Sequence, residues 1–167
     1  MSLTKIIRGA FVSRQKEIER YDKEAEALQM EVLHYLMSNA KHTEYGRKYS
    51  FGAVGSYSDY ASHVPVNTYE ELKGYIDRMR HGERDLLWKG SVKWYAKSSG
   101  TTNDKSKFIP VSHDGLQHVH YAGGKDAVAL YLRNNPDSRL FDGKSLILGG
   151  SHSPNYGVAD SLVGDLS

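Results

Sequence analysis

Cysteine is absent from the 167 residues of this chain. Its absence excludes disulfide bonds, thiol catalysis and zinc sites built from cysteine. The sequence also lacks a run of about 18 apolar residues, the length that crosses a bilayer, so no membrane span is expected. The first residues, "MSLTKIIRGAFVSRQKEIER", interleave charges with apolar residues and lack a small-residue cleavage site, unlike a secretory signal. These absences predict a cytoplasmic protein.

Net charge is also small, at +2, which is too little to indicate a nucleic-acid partner. The charge is nevertheless concentrated in one place. Between Lys89 and His113 there are five lysines and a single acid, Asp104, which gives a local charge of +4. A short positive region in a nearly neutral protein favours a small anionic ligand.

Apolar residues with helical spacing dominate the first forty positions. A first group comprises Leu3, Ile6, Ile7, Ala10 and Phe11, and a second comprises Ile18, Tyr21, Ala25, Leu28, Val32 and Tyr35. The second group predicts one helix with an apolar face packed on a core. Residues 39–65 are rich in Gly, Ser and Tyr, which predicts a connecting loop with one short turn. In "TYEELKGYIDRM" helical spacing resumes, with Thr68 and Glu71 forming a predicted capping box.

The second half of the chain predicts an α/β arrangement with a mixed sheet. "VKWYAK" and "KFIPV" are predicted strands, a helix is expected to begin near Ser112, and "KSLILGG" is a predicted buried strand. The pair Gly123 and Gly124 inside that helix predicts a close packing partner. We expect a helical segment over residues 1–50, then an incomplete α/β domain over 51–167 without a complete second domain. Because no closing element is apparent, we also expect this chain to be the amino-terminal part of a longer polypeptide.

The stretch between the two strands, "SSGTTNDKSK", has the composition of an anion-binding loop. Gly100 allows close backbone approach, and the surrounding hydroxyls and lysines are donors for a phosphate. It is not a P-loop: Lys105 stands where that motif needs its second glycine, and the loop leads into a strand instead of a helix. A hydroxyl-rich hairpin turn explains the composition equally well.

"SSGTTNDKSKFIP" resembles the phosphate-binding signature of the Gretchen Hagen 3 (auxin-responsive) acyl acid amido synthetases, in the acyl-adenylate-forming superfamily that includes firefly luciferase. The resemblance extends to "VPVNTYEELKGYIDRMRHGERDLLWKG" and "TEYGRKYSF" and covers most of the chain. It departs from the family at Asp104, where plant members often have glycine, which leaves the detailed geometry of the loop open.

The resemblance implies a larger adenylate-forming fold and an ATP-dependent ligase. Such an enzyme activates a carboxylic acid as an acyl-adenylate and then forms an amide with an amino acid. ATP and Mg²⁺ would be needed, and the phosphates would be held by Ser98, Ser99, Gly100, Thr101, Thr102 and Lys107. No catalytic residue is assigned, and no protein-bound metal is expected.

The resemblance also implies what this chain does not contain. The family's later adenine- and ribose-binding motifs and its carboxy-terminal domain are not in these residues. We therefore expect the remainder of the polypeptide to be needed for activity. The family places part of its pocket for the acid substrate on the helix after the loop. In this chain the resemblance therefore makes His120 and Lys125 candidates to meet a substrate carboxylate.

Two alternatives remain open on the sequence alone. The chain could be a nucleotide- or anion-binding module without catalysis, or a structural fragment that partners another chain. The identity of the acid and the amine does not follow from these residues.

Overall fold

The computed structural model describes residues 2–98 and 106–165. The chain divides into two compact units. The helical unit comprises Met1–Leu28 and Asp114–Leu148, and the sheet unit comprises Gln29–His113 and Gly149–Ser167. The predicted division at residue 50 is not tested by this grouping and stays a prediction.

The helical unit is built on two long helices, α1 (Leu3–Lys23) and α7 (Ala122–Asn134), which pack against each other. Arg14 on α1 donates from Nε to Oδ1 of Asp126 on α7 at 2.7 Å. Phe11 stacks on Phe141, with ring centroids 6.5 Å apart. A short helix α6 (His113–Gly115) and a π-helical segment (Leu116–Tyr121) precede α7.

Asp142 fixes the amino-terminal end of α1. Its Oδ1 accepts hydrogen bonds from the backbone N–H of Thr4 at 2.9 Å and from the hydroxyls of Thr4 and Ser2, each at 3.0 Å. A carboxylate at a helix start satisfies free N–H groups and opposes the helix dipole. These donors hold the pKa of Asp142 well below its usual range, with the Thr4 N–H as the largest cause.

The helices of the sheet unit are α2 (Ala25–Ala40), of which the residues from Gln29 onward belong to this unit, α3 (Glu44–Lys48), α4 (Tyr57–His63) and α5 (Tyr69–Arg80), with a 3-10 turn at Phe51–Ala53. One core cluster joins α2 to the short helices through Met37, Ala40, Phe51, Val54 and Val64. A second cluster lies between α5 and the sheet and comprises Met79, Leu86, Val92 and Tyr95.

The sheet has four strands, β1 (Trp94–Lys97), β2 (Phe108–Val111), β3 (His152–Pro154) and β4 (Leu162–Asp165), in the order β2-β1-β4-β3. β1 pairs antiparallel with β2, with Lys97 opposite Phe108, and parallel with β4, with Lys97 opposite Asp165. β3 pairs antiparallel with β4. The predicted combination of amino-terminal helices and a mixed sheet is confirmed.

Two helical predictions were wrong in detail. The expected continuous helix over Ile18–Tyr35 is interrupted at Glu24, whose backbone leaves the helical conformation (φ −126°, ψ 24°). The apolar spacing therefore does not form a single buried face, and Tyr21, Val32 and Tyr35 are exposed. The expected loop over residues 39–65 instead contains α3, α4 and the 3-10 turn, because its apolar residues supply a core cluster.

The predicted buried strand "KSLILGG" is also wrong. Residues 144–150 have no regular structure, and Leu146, Ile147 and Leu148 are 89%, 84% and 88% exposed. An apolar run becomes a strand only where a neighbour pairs with its backbone, and the described sheet has its strands elsewhere. The expected close partner of Gly123 and Gly124 is absent too: within the described ranges, a Cβ built on either meets nothing within 4 Å.

Two strands that the sequence analysis did not assign, β3 and β4, lie within residues 149–165. Of the helices in the described ranges, none has the length and apolar character that a bilayer crossing requires.

Candidate functional site

The ends of the predicted anion-binding loop are joined to each other. Ser98, directly after β1, donates its backbone N–H to the carbonyl of Lys107 at 2.9 Å. The Ser98 hydroxyl accepts the Lys107 N–H at 3.1 Å. These bonds extend the β1–β2 pairing by one residue pair and fix the separation of the two loop ends. One predicted donor, the Ser98 hydroxyl, is thereby oriented at the base of the loop.

The ammonium group of Lys107 lies over an aromatic ring. Its Nζ is 5.5 Å from the ring centroid of Tyr69, within the range of a cation–π interaction. The hydroxyl of the same tyrosine accepts the backbone N–H of Phe108 at 3.0 Å. Tyr69 therefore contacts the side chain of one loop-end residue and the backbone of the next.

The position of Tyr69 follows from the way α5 begins. The Thr68 backbone N–H donates to the Glu71 carboxylate at 2.6 Å, and the Thr68 hydroxyl donates to the same oxygen at 2.8 Å. The predicted capping box is confirmed. It fixes Tyr69 as the first residue of the helix, and its donors lower the pKa of Glu71.

The other end of α5 also contacts β2. The Cζ atom of Arg80, the last residue of the helix, lies 3.4 Å from the centroid of the Phe108 ring. Tyr95, within β1, is buried and donates its hydroxyl to the Val92 carbonyl at 3.2 Å. Burial raises the pKa of Tyr95 to about 12, so this phenol stays neutral at physiological pH.

The predicted site residues fall into three groups. Ser98 and Lys107 are brought together at the loop base. Ser99, Gly100, Thr101 and Thr102 lie outside the described residues. His120 and Lys125 belong to the helical unit and are exposed there, His120 in the π-helical segment beside Tyr121 and Lys125 in the first turn of α7.

Tyr69 and Arg80 are contacts of the loop end that the sequence analysis missed. The capping box located the start of α5, and helical spacing located its length, but neither signal indicates which strand residue an aromatic or guanidinium side chain meets. Both residues lie in the block "TYEELKGYIDRMR" that precedes the loop.

Curated proteins similar to this chain are plant amido synthetases. An indole-3-acetic acid-amido synthetase, GH3.15 of Arabidopsis thaliana, is 34% identical over 121 residues, which is 72% of this chain and 20% of that protein. The jasmonoyl-L-amino acid synthetase JAR4 of Nicotiana attenuata is 27% identical over 103 residues, covering 61% of this chain and 18% of that protein. The chain thus spans about a fifth of the length of these relatives.

A solved structure and a family model agree with the curated proteins. The structure of the GH3.15 acyl acid amido synthetase superposes with a TM-score of 0.75 and 27% sequence identity, over 90% of this chain and 27% of that one. The family model described as the GH3 family N-terminal domain matches residues 14–157. The match includes β1, the loop, β2 and α5, the elements from which the candidate site is built.

Proposed function

Because the chain belongs to the GH3 family, by a match to its N-terminal domain over residues 14–157, we propose that it carries the ATP phosphate loop of an acid–amino acid ligase. This ligase activates a carboxylic acid as an acyl-adenylate and transfers the acyl group to an amino acid. The chain alone is inactive in this proposal, because it spans about a fifth of relatives named as amido synthetases.

The observation that carries the proposal is the arrangement at the loop base. Ser98 and Lys107 are hydrogen-bonded to each other between β1 and β2. A hydroxyl and an ammonium group thus flank a glycine-containing segment whose backbone N–H groups are further potential donors. Together with Ser99, Gly100, Thr101 and Thr102 they form the proposed phosphate-binding set.

This set fits the charge changes of the reaction. A carboxylate that attacks the α-phosphate of ATP must overcome repulsion between anions, and the pyrophosphate leaving group carries negative charge. Donors held in place before the reaction stabilise that charge without reorganising. Lys107 is suited to this role because its ammonium group is exposed and supported by Tyr69.

Mg²⁺ accompanies the phosphates of ATP in phosphoryl and nucleotidyl transfer, and we propose it as the metal used here. Within residues 2–98 and 106–165 there is no group of three or more acidic, histidine or cysteine side chains suited to a metal ion. No step is assigned to these residues through the ion.

The acid substrate is proposed to meet His120 or Lys125, the exposed candidates of the helical unit. A carboxylate needs a positive or hydrogen-bonding partner, which either side chain supplies. Replacing each by alanine should raise the KM for the acid, with Gln117→Ala, in the same π-helical segment as His120, as the control. An unchanged KM removes the residue from the pocket.

The small acid and the amino acid are the proposed partners, with the cytoplasm as the proposed location.

ATP–pyrophosphate exchange by the full-length gene product tests the function. The enzyme is incubated with ATP, labelled pyrophosphate and one member of a panel of carboxylic acids, and label entering ATP is counted. Exchange that depends on one class of acid, followed by amide formation when amino acids are added, supports the proposal. A folded protein that gives no exchange with any acid contradicts it.

A further inference from the structure

Arg80 lies between two aromatic rings. Its Cζ atom is 3.4 Å from the centroid of Phe108 and 4.5 Å from that of Tyr156. The side chain is only 9% exposed. The ring of His81 stacks on Tyr156, with centroids 4.2 Å apart. Four flat groups are thus in successive contact, Phe108, Arg80, Tyr156 and His81, and we call this set the Arg80 column.

The backbone of Arg80 holds the turn that carries Tyr156. Nδ2 of Asn155 donates to the Arg80 carbonyl at 2.6 Å and to the Ser161 hydroxyl at 3.1 Å, and Asn155 is buried. Tyr156 itself has a left-handed backbone conformation (φ 46°), which is unfavourable for a residue with a bulky side chain. Arg80 therefore supports this turn through both its carbonyl and its guanidinium group.

Burying the guanidinium group of Arg80 carries a free-energy cost of desolvation. Arg80 has an ion-pair contact with Asp77 at 3.8 Å, and its Nε has no hydrogen-bond partner among the residues that the structure describes. An apolar side chain of similar volume would avoid the desolvation cost. What an apolar side chain does not supply is a planar cation that fixes the orientation of the rings on either side.

We propose that Arg80 is a positioning residue for the phosphate loop. It fixes Phe108, which directly follows Lys107, and joins it to the Asn155–Tyr156 turn. The loop end is then held from two sides, by Tyr69 at the start of α5 and by Arg80 at its end. The assignment of a role in ATP use rests on the proposed function of the loop. The assignment of a role in holding β2 does not.

Hydrogen–deuterium exchange on the full-length gene product tests the structural part without activity. Arg80→Met retains length and volume but removes the planar cation. We expect backbone amides of residues 106–111 to exchange about tenfold faster in this variant, because local opening governs their protection. Peptides from α1 and α7 should be unchanged.

Arg78→Met is the matched control. Arg78 lies two residues earlier on the same helix and does not belong to the Arg80 column. Its Cζ atom is 5.9 Å from the centroid of the Tyr75 ring. Equal exchange of residues 106–111 in the Arg78 and Arg80 variants would overturn the proposal. If Arg80→Met does not fold, Arg80→Lys is used, which keeps the charge but not the planar group. Wild-type protection of residues 106–111 in that variant also overturns it.

Kinetics separate positioning from general stability. For Arg80→Lys we expect kcat/KM for ATP to fall about tenfold while the KM for the acid changes less than about twofold. A uniform loss that follows only the folded fraction contradicts positioning. If the wild type gives no ATP–pyrophosphate exchange with any acid, the proposed function fails. Hydrogen–deuterium exchange still decides whether Arg80 holds β2.

Discussion

The phenol oxygen of Tyr69 accepts the backbone N–H of Phe108 at 3.0 Å, which joins the first residue of α5 to the first residue of β2. β1 lies on the other side of β2, so the loop end is fixed between a helix and a strand. The same tyrosine ring supports the Lys107 ammonium group. A residue outside the loop signature thus sets the position of its lysine.

Tyr69→Phe should weaken ATP use without unfolding the protein. The ring beneath Lys107 is kept, but the Phe108 N–H loses its acceptor, at a cost of about 1 kcal/mol in the free energy of unfolding. We expect kcat/KM for ATP to fall about three- to tenfold. The measurement is ATP–pyrophosphate exchange at varied ATP. Tyr57→Phe, an exposed tyrosine of α4, is the control, and equal kinetics in both variants would exclude a role for the Tyr69 hydroxyl.

Lys107→Ala should have a larger effect. In the proposed function the variant removes an ammonium group that stabilises the developing phosphate charge, and loss of one such donor lowers the rate by about 100- to 1000-fold. Lys93→Ala is the control, because Lys93 is exposed, precedes β1 and pairs with Asp160 at 3.5 Å. Initial rates of exchange at saturating acid distinguish the two. Wild-type kinetics for Lys107→Ala would remove this residue from the site.

Local signals in the sequence were sufficient for the elements around the loop. The Thr68–Glu71 capping box fixed the start of α5, and short apolar segments on either side of a Ser/Gly-rich stretch predicted β1 and β2. Interactions between neighbours in sequence decide such features. Composition alone did not distinguish Lys107 from Lys105, and it was the family resemblance that indicated Lys107.

Local signals in the sequence did not predict which distant segments pair as neighbouring strands. β4 lies beside β1, with Trp94 opposite Leu162. Nothing in "LVGD" is more strand-like than the exposed "KSLILGG". Hydrophobicity therefore favoured the wrong segment. Tyr69 and Arg80 were missed for the same reason, since their partners are distant in sequence.

Gly46→Ala should destabilise the sheet unit. A Cβ at Gly46 would lie 2.0 Å from the carbonyl oxygen of Ala40 and 3.0 Å from the hydroxyl of Thr43. That hydroxyl is buried and bonded to both the Ala40 carbonyl and the Gly46 N–H, so it has little freedom to move. We expect a loss of about 3 kcal/mol in the free energy of unfolding, measured by urea denaturation.

Gly74→Ala is the matched control and should have the opposite sign. Gly74 lies inside α5, and a Cβ there meets none of the described atoms within 4 Å. Alanine in a helix interior is more favourable than glycine by about 0.5–1 kcal/mol. A destabilised Gly74→Ala together with a neutral Gly46→Ala would contradict the packing described for α2, α3 and α5.

Asp142→Asn should remove a pH-dependent part of the stability of the helical unit. The Thr4 N–H and the Ser2 hydroxyl lower the pKa of Asp142 in the folded state, so its ionised form favours folding. That contribution is complete above the ordinary aspartate pKa of about 4 and is lost as the pH falls through this value toward the lower folded pKa. Asparagine keeps an oxygen for the hydrogen bonds but has no charge to titrate.

The destabilisation caused by Asp142→Asn should therefore be larger at about pH 7 than at about pH 3, measured by urea unfolding followed by circular dichroism. Asp137→Asn is the control, because Asp137 lies in the same loop and is exposed. Comparing each variant with the wild type at both pH values removes the background titration of the other carboxyl groups. A difference between wild type and Asp142→Asn that is the same at both pH values would show that the Asp142 carboxylate does not stabilise the start of α1 through its charge.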